Sequence, residues 1–369
     1  MDRIRSSSID ILKAARSIAK SQKRVSDLVT HMLEGEKLPS SMLFAGPEGS
    51  GKELMALYFA ARINCSGDCF KEELSCPVCS KISRLEHPDV HLVYPLPYGS
   101  IEKSYPVVIE SRREDFFNSG EFGRKARSIG IDLIRDVIEK ASKHPFEGKK
   151  TLVIIYEAHL ATIEAQNAFL KLLEEPPKSV VIILVTEFPD KLLPTITSRC
   201  YEVRFDYLSA ADVESFLIEN RGLKKEEAIK RAVLAEGNIR RAVRYGDKRF
   251  RGLVRKAERI VGLILDGEGR NITLETEALA VEYDREELAA LLEEIARVFR
   301  ILMKSDQKRG ELQEAVLAEL GRERIAGAKK RNIPADLEKI FKASENLSRN
   351  ADVELTLLQL MLDLAGEWY

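Results

Sequence analysis

The chain has 369 residues, which is enough for two or three domains that each bury a hydrophobic core. Its 58 lysines and arginines nearly balance 59 aspartates and glutamates, so the overall charge does not indicate nucleic-acid binding and any DNA contact must be local. Because no apolar run approaches a membrane span and the first residues lack a signal peptide's apolar core, we expect a cytoplasmic protein, in which cysteines favour metal binding or reduced thiols over disulfides.

The first informative motif is a glycine-rich loop between a predicted strand and a predicted helix. Residues 42–45 form a short apolar run, residues 46–53 have the sequence G-P-E-G-S-G-K-E, and the residues up to 64 are typical of a helix. This is the G-x-x-x-x-G-K pattern of a phosphate-binding loop (P-loop), in which backbone N–H groups and a helix N-terminus face an anion that a lysine neutralises. The predicted nucleotide-binding residues in the loop are Gly46, Gly49, Gly51, Lys52 and Glu53.

Glu53 departs from the P-loop pattern. The position after Lys52 normally carries serine or threonine, whose hydroxyl holds Mg²⁺. A glutamate can itself bind Mg²⁺, because hard cations take carboxylate oxygens, but its negative charge would also repel a triphosphate. The loop therefore leaves open whether ATP or ADP binds, and it weighs against Mg²⁺.

Four of the five cysteines lie close together after the P-loop helix. They are separated by three, six and two residues, a density that suits the four soft ligands of a tetrahedral zinc ion. We predict a structural zinc site, because protein would fill all four positions, and the alternative is four reduced thiols. The predicted ligands are Cys65, Cys69, Cys76 and Cys79.

The segment 95–123 shows neither the period of a strand nor that of a helix, and we predict an irregular insertion. Basic residues in this segment and just after it could meet phosphates. Runs of charge are usually solvated faces, however, and we favour that interpretation. These residues are Arg112, Arg113, Arg124, Lys125 and Arg127.

Strands and amphipathic helices alternate in the first part of the chain, up to residue 206. Residues 151–156 and 180–185 are continuous apolar runs of the length of a buried strand. Apolar residues recur at helical spacing in 134–141 and 165–172. The alternation predicts an α/β P-loop domain, in which helices cover both faces of a parallel sheet.

The end of the strand at 151–156 is a second place where a magnesium-holding group is missing. A carboxylate is expected there, but the residue is Tyr156, and Glu157 follows it. Glu157 could polarise an attacking water, or it could be a solvated carboxylate at the end of a strand. Two altered metal-holding positions remove transition-state stabilisation, so we predict slow or absent ATP hydrolysis.

From residue 207 onward the patterns are helical. Short patterns in 207–247 predict a small helical domain, and longer ones in 248–369 predict an all-helical domain. Two apolar stripes are expected to supply the core of this last domain. Their residues are Leu288, Leu291, Leu292, Ile295, Leu355, Leu358, Leu360 and Leu362.

Several motifs occur together in a distinctive order. After the P-loop and the cysteine cluster come Y-E-A-H at 156–159, N-A-F-L-K-L-L-E-E-P-P at 167–177 and L-P-T-I-T-S-R-C at 193–200. In this order the motifs resemble the delta-prime subunit family of the bacterial DNA polymerase III clamp loader, over about residues 10–245. The resemblance implies an AAA+ fold with a nucleotide-binding-like domain at 1–206, a small helical lid at 207–247 and a helical collar at 248–369.

The resemblance also implies a function in bacterial DNA replication. Delta-prime subunits act as a stator in a hetero-pentamer with motor (gamma/tau) and delta subunits, which loads the sliding clamp on primer–template DNA. The alternative is an active gamma/tau-like ATPase motor, but a motor should carry serine or threonine after Lys52 and aspartate at position 156. A zinc-ribbon nucleic-acid-binding protein is a third possibility, which the near-neutral charge disfavours.

Three further site residues follow from the resemblance. Arg199, within Ser-Arg-Cys, is implied as an arginine finger that acts in trans on ATP bound by a neighbouring subunit; the alternative is a surface arginine paired locally. Thr186 is implied as the first sensor, or else it is a strand-capping hydroxyl. Arg240 is implied as the second sensor facing the nucleotide, and it would pair with a carboxylate if no nucleotide binds.

Overall fold

The structure is a computed structural model that describes residues 10–35, 38–65, 76–97, 99, 101–117, 127–303, 321–328, 331–348 and 351–365. The chain divides into two units between Val243 and Arg244. The first unit contains all the strands of the described residues, and the second is helical. The predicted division at 206 and 247 into three domains stays a prediction.

A five-stranded parallel sheet forms the centre of the first unit. Its strands run in the order β2-β5-β6-β1-β7, and β3 and β4 form a short antiparallel pair. Every residue of β1, β5 and β6 is buried, which explains their continuous apolar sequences. The strands are β1 (Ser41–Ala45), β2 (Val90–Val93), β3 (Leu96–Pro97), β4 (Arg127–Ser128), β5 (Thr151–Ile155), β6 (Val180–Thr186) and β7 (Tyr201–Arg204).

The strand register brings the predicted site residues to one edge of the sheet. Ala45 at the end of β1 lies opposite Thr186 at the end of β6, and β5 ends beside β6. The P-loop, Glu157 and Thr186 therefore follow neighbouring strands at the carboxyl edge. Tyr201 lies opposite Met42 in the parallel pair of β7 and β1, so the residues that precede β7 lie at the opposite edge.

The helices of the first unit follow the predicted alternation with strands, and the predicted α/β fold class is confirmed. They are α1 (Ile11–Ser21), α2 (Lys23–Glu34), α3 (Lys52–Asn64), α4 (Pro77–Ser83), α5 (Ile101–Glu114), α6 (Ile131–Ala141), α7 (Ile163–Glu174), α8 (Pro194–Thr197), α9 (Ala210–Arg221), α10 (Lys225–Ala235) and α11 (Ile239–Arg244), which ends at the boundary between the units.

The prediction of an irregular insertion at 95–123 is wrong for much of its described part, because α5 lies there. Its helical period was hard to detect, since Pro106 lies inside the helix and only three of its residues are buried. Two of these, Val108 and Ile109, are apolar, and the third is the charged Arg112. A helix that buries an arginine gives a weak amphipathic signal.

The second unit is helical, as predicted. The first predicted stripe is buried, whereas in the last helix Leu355 and Leu362 are 68 % and 54 % exposed. The predicted Leu360 is buried, and the other residues buried there include Leu357 and Leu364, each two positions after an exposed predicted one and so on the other side of the helix. No helix among the described residues is both long and apolar enough to cross a membrane. The helices are α12 (Lys248–Asp266), α13 (Gly269–Glu282), α14 (Arg285–Met303), α15 (Arg322–Ala328), α16 (Ile333–Ser348) and α17 (Val353–Ala365).

Candidate functional site

The P-loop connects β1 to the N-terminus of α3, as its sequence predicts. Gly49 and Gly51 have φ angles of 69° and 87°, which lie in the left-handed region that glycine adopts without strain. Gly51 immediately precedes the first residue of α3. The backbone therefore has the strand–loop–helix arrangement of a phosphate-binding site.

The chain itself packs closely against this loop. A Cβ atom added to Gly49 would lie 1.9 Å from Oδ1 of Asn238, and one added to Gly51 would lie 2.4 Å from Cγ2 of Ile18. The backbone N–H of Ile239 also donates to the carbonyl of Gly49 at 3.0 Å. The glycines thus allow α1 and the start of α11 to approach the loop.

Lys52 is directed to groups of its own chain. Its side chain is 4 % exposed, and Nζ donates to the carbonyl of Pro47 at 2.9 Å. Nζ also lies 3.7 Å from Oε1 of Glu187. Burial, together with the nearby charge of Glu48, raises the pKa of Glu187 to about 8.

Arg240 forms ion pairs with two glutamates of the P-loop motif, one of which is Glu53. One guanidinium nitrogen donates to Oε1 of Glu48 at 2.9 Å, and the other donates to Oε1 of Glu53 at 3.0 Å. These are charge-assisted hydrogen bonds between mostly buried groups. Arg240 thus makes the carboxylate pairing that was the alternative to a nucleotide contact, and Glu53 has a cation partner within the chain.

Arg112 is a residue of this site that its sequence pattern does not indicate. It was predicted to be solvated, but it is 2 % exposed and lies 3.8 Å from a carboxylate oxygen of Glu53 and 3.8 Å from one of Glu157. Arg127, also predicted to be solvated, lies 3.6 Å from Glu157 and is mostly buried. Burying a guanidinium requires such partners. Arg113 lies at the surface, and Arg124 and Lys125 lie outside the described residues.

Tyr156 fills the position where a magnesium-holding carboxylate was expected. Its ring is buried and stacks on Tyr94 with ring centres 4.6 Å apart, and its hydroxyl donates to the carbonyl of Glu53 at 3.4 Å. Phe116 packs edge-on against the same ring. An aromatic cluster therefore replaces the metal-holding group.

Glu157 has a constrained backbone and a paired side chain. Its φ of 49° is uncommon for a residue other than glycine, and such positions cluster at functional sites. Burial alone would raise the pKa of Glu157, but Arg127 and Arg112 lower it below the ordinary value. The carboxylate is thus ionised and paired, and the alternative of a solvated strand-end carboxylate is wrong. A catalytic role for Glu157 stays a prediction.

Little space remains where Arg240 and the residues just after α5 approach the P-loop in the described part of the chain. The cavity bounded by the P-loop, α3, Phe116, Phe117 and Arg240 is about 10 Å³, which is no more than one water needs, whereas ligand pockets are roughly 300–1,000 Å³. Glu53 and Glu157 both face Arg112, so this donor set does not fit Mg²⁺. We call the following described residues the closed P-loop site: Glu48, Lys52, Glu53, Arg112, Arg127, Glu157, Glu187 and Arg240.

Thr186 has local partners at the end of β6. Its hydroxyl accepts a hydrogen bond from the backbone N–H of Phe188 at 3.0 Å and lies 3.0 Å from Nδ1 of His159. Burial lowers the pKa of His159 to about 4, so that ring is neutral near pH 7. These contacts are those of a strand-capping hydroxyl, and a sensor role stays a prediction.

Arg199 lies at the other edge of the sheet, just before β7. Its guanidinium lies 2.9 Å from Oε1 of Glu174 and donates to the carbonyl of Thr195 at 2.8 Å. The side chain is 37 % exposed. Arg199 is therefore a surface arginine with a local partner in this chain, and its action in trans stays a prediction.

The cysteines that the structure describes form a compact sulfur cluster. The Sγ atoms of Cys65, Cys76 and Cys79 lie within 4.8 Å of one another, and those of Cys65 and Cys76 are 3.7 Å apart. Zn–S bonds of about 2.3 Å in a tetrahedron place sulfurs about 3.8 Å apart, so the three residues fit zinc. The fourth predicted ligand, Cys69, lies outside the described residues.

Comparisons with known proteins find similarity to subunits of DNA polymerase III. A profile of the family described as "DNA polymerase III, delta subunit" matches residues 21–209, just over half of the chain. DNA polymerase III subunit delta' of Bacillus subtilis is 34 % identical over 198 residues, which are 54 % of this chain and 51 % of that protein. DNA polymerase III subunit gamma/tau of Mycoplasma genitalium is 28 % identical over 225 residues, 59 % of this chain and 33 % of that one.

The chain thus spans about half the length of the delta' relative and a third of the gamma/tau relative. Among solved structures, a gamma subunit-related protein of DNA polymerase III from Thermotoga maritima is 17 % identical, with a TM-score of 0.39. The match covers 94 % of this chain and 98 % of that one.

Proposed function

The chain belongs to the family described as DNA polymerase III, delta subunit, and we propose that it is a delta-prime subunit, the stator of a clamp loader that does not hydrolyse ATP itself. Its relatives include both delta' and gamma/tau subunits, so similarity alone leaves the stator and the motor as alternatives. The observation that favours the stator is the closed P-loop site.

The closed P-loop site opposes nucleotide binding in two ways. A triphosphate needs far more space than about 10 Å³, so bound nucleotide would require Arg240 and the residues around Phe116 to move. Such a movement would separate Arg240 from Glu48 and Glu53, and breaking buried pairs is strongly unfavourable unless new partners replace the old ones. The altered groups at positions 53 and 156 would then offer little help to Mg²⁺.

Arg199 is the residue that we assign to catalysis in trans. Tyr201, two residues after Arg199, pairs with Met42, and Gly46 lies four residues beyond Met42, just after β1, so about 13 Å of chain separates this edge from the chain's own P-loop. Among the described residues, the partners of the exposed guanidinium are Glu174 and a carbonyl, which it can leave at low cost. We infer that it completes the ATP site of a neighbouring motor subunit.

The proposed partners follow from this assignment. They are gamma/tau motor and delta subunits in a hetero-pentamer, which opens the sliding clamp and places it on primer–template DNA. The proposed cofactor is one structural zinc ion held by Cys65, Cys76, Cys79 and Cys69. Metal analysis of the purified full chain should find one zinc per chain, and replacement of Cys79 by serine should lower that content.

The test of the function is ATP turnover of the reconstituted complex. Arg199→Ala should leave assembly intact and lower ATP hydrolysis at the site it completes, where a trans arginine contributes roughly 10³–10⁵-fold. Arg204→Ala is the matched control, because Arg204 is an exposed arginine on the adjacent strand, paired with Glu202. Unchanged turnover in Arg199→Ala would remove the finger assignment. Rapid Mg²⁺-dependent hydrolysis by the isolated chain would instead identify a motor.

A further inference from the structure

Arg112 lies between the two carboxylates that flank the expected magnesium position. Glu53 stands where a P-loop carries the metal-holding hydroxyl, and Glu157 follows the strand that should end in a metal-holding carboxylate. The guanidinium of Arg112 is 3.8 Å from an oxygen of each. A cation from the chain itself thus sits between the groups that would otherwise attract a metal cation.

The surroundings fix Arg112 in this position. Nη1 donates to the carbonyl of Phe116 at 2.6 Å, and the guanidinium carbon lies 5.1 Å from the centre of the Tyr94 ring. Tyr94 in turn stacks on Tyr156, so the residue that replaced the metal-holding carboxylate supports the aromatic surface under the arginine. At 2 % exposure the side chain has almost no contact with solvent.

Each carboxylate beside Arg112 also has a second guanidinium partner. Glu53 is shared between Arg112 and Arg240, and Glu157 is shared between Arg112 and Arg127. A divalent cation entering this space would meet three guanidinium groups and would have to displace Arg112. Glu53 and Tyr156, the two departures from the P-loop pattern, therefore both contribute to the surroundings of the buried Arg112.

We propose that Arg112 replaces the metal ion as the cation of this site. It holds Glu53 and Glu157 together, and it keeps the site closed in the absence of both nucleotide and metal. The proposal rests on the proposed function in so far as it takes this loop to be a P-loop that no longer turns over ATP. It predicts that Mg²⁺ and Mn²⁺ do not change the stability of the first unit while Arg112 is present.

The test uses the purified full chain and manganese as the probe, because Mn²⁺ prefers the same oxygen ligands as Mg²⁺ and its binding can be followed by electron paramagnetic resonance. In Arg112→Gln the charge is removed, and a polar side chain with an amide donor is kept. We expect this variant to bind Mn²⁺ at least about tenfold more tightly than the wild-type chain. Its lowered melting temperature should rise when Mn²⁺ is added, whereas that of the wild-type chain should not change.

Three further variants complete the design. Arg113→Ala is the matched control, since Arg113 is the next residue of α5 and pairs with Glu86 and Glu110; it should show no gain in Mn²⁺ binding. In Arg112→Lys, Mn²⁺ should again leave the melting temperature unchanged. Arg112→Gln combined with Glu53→Gln should lose the gain in Mn²⁺ binding.

The proposal is overturned if Arg112→Gln is less stable but gains no Mn²⁺ binding, or if the wild-type chain binds Mn²⁺ in a manner that Glu53→Gln abolishes. Should Arg112→Gln fail to fold, Mn²⁺ binding by the wild-type chain, with and without Glu53→Gln, still tests the second outcome. None of these measurements involves ATP turnover or a partner subunit. A negative result here therefore leaves the Arg199 assignment intact, and a negative result for Arg199 in the complex leaves this one intact.

Discussion

The two edges of the parallel sheet differ in how they hold their charges. At the carboxyl edge, the closed P-loop site pairs its carboxylates with its cations inside the protein. At the opposite edge, Arg199 is partly exposed and pairs with the similarly exposed Glu174. Buried pairs are costly to break one partner at a time, whereas surface pairs contribute little. The buried pairs at the carboxyl edge are thus suited to keeping the P-loop site closed. The surface pair at the opposite edge can break so that Arg199 contacts another subunit.

The largest expected effect at the closed edge comes from Arg240→Ala. It leaves Glu48 and Glu53 without their main cation, and removal of one partner from a buried pair costs about 3–5 kcal/mol of unfolding free energy. Urea unfolding of the full chain measures this loss. Arg135→Ala, which removes an exposed arginine paired with Asp132, should stay within about 0.5 kcal/mol. Equal losses in the two variants would contradict the contrast between buried and surface charges.

Gly49→Ala tests how tightly the loop is packed. Alanine at a φ of 69° is strained, and its Cβ would collide with Asn238, so we expect a loss of about 1–3 kcal/mol. Gly222→Ala separates backbone strain from the collision, because Gly222 has a φ of 62° but no atom within 4 Å of the added Cβ. A loss in Gly49→Ala no greater than in Gly222→Ala would indicate that the loop is open.

The pH dependence of stability reports on Glu187. Its pKa is raised to about 8 in the folded chain, so the folded state holds this proton more tightly than the unfolded state. The contribution is therefore fully present below the ordinary glutamate pKa, near pH 4.5, and is lost as the pH rises toward 8. Comparing melting temperatures of the wild-type chain and Glu187→Gln across this range isolates the effect. Parallel curves for the two proteins would refute it.

The smallest effect is expected at the exposed edge. Glu174→Ala removes the surface partner of Arg199, and the unfolding free energy should change by only about 0–1 kcal/mol. The same denaturant experiment measures it beside Arg240→Ala. A loss as large as that of Arg240→Ala would mean that Arg199 is bound to its own chain too firmly to serve a neighbour.

Much of the fold was predictable because its signals are local. Continuous apolar runs predicted β5 and β6, and the glycine-rich motif predicted the turn into α3. Helix α5, which was not predicted, shows where local signals are insufficient. Its period is obscured by Pro106 and by a buried arginine, and a charged residue is assigned to the surface unless its partners are known.

The candidate site was likewise only partly predictable from the sequence. The sequence by itself determined the family motifs, the loss of the metal-holding groups at Glu53 and Tyr156, and the close spacing of the cysteines. Only the tertiary structure decided that Arg240 pairs with Glu53 and that Arg112 lies between Glu53 and Glu157. These partners are 187, 59 and 45 residues apart along the chain. Residue types and short spacings specify local backbone geometry, but which distant charges meet in a buried site depends on the packing of the whole unit.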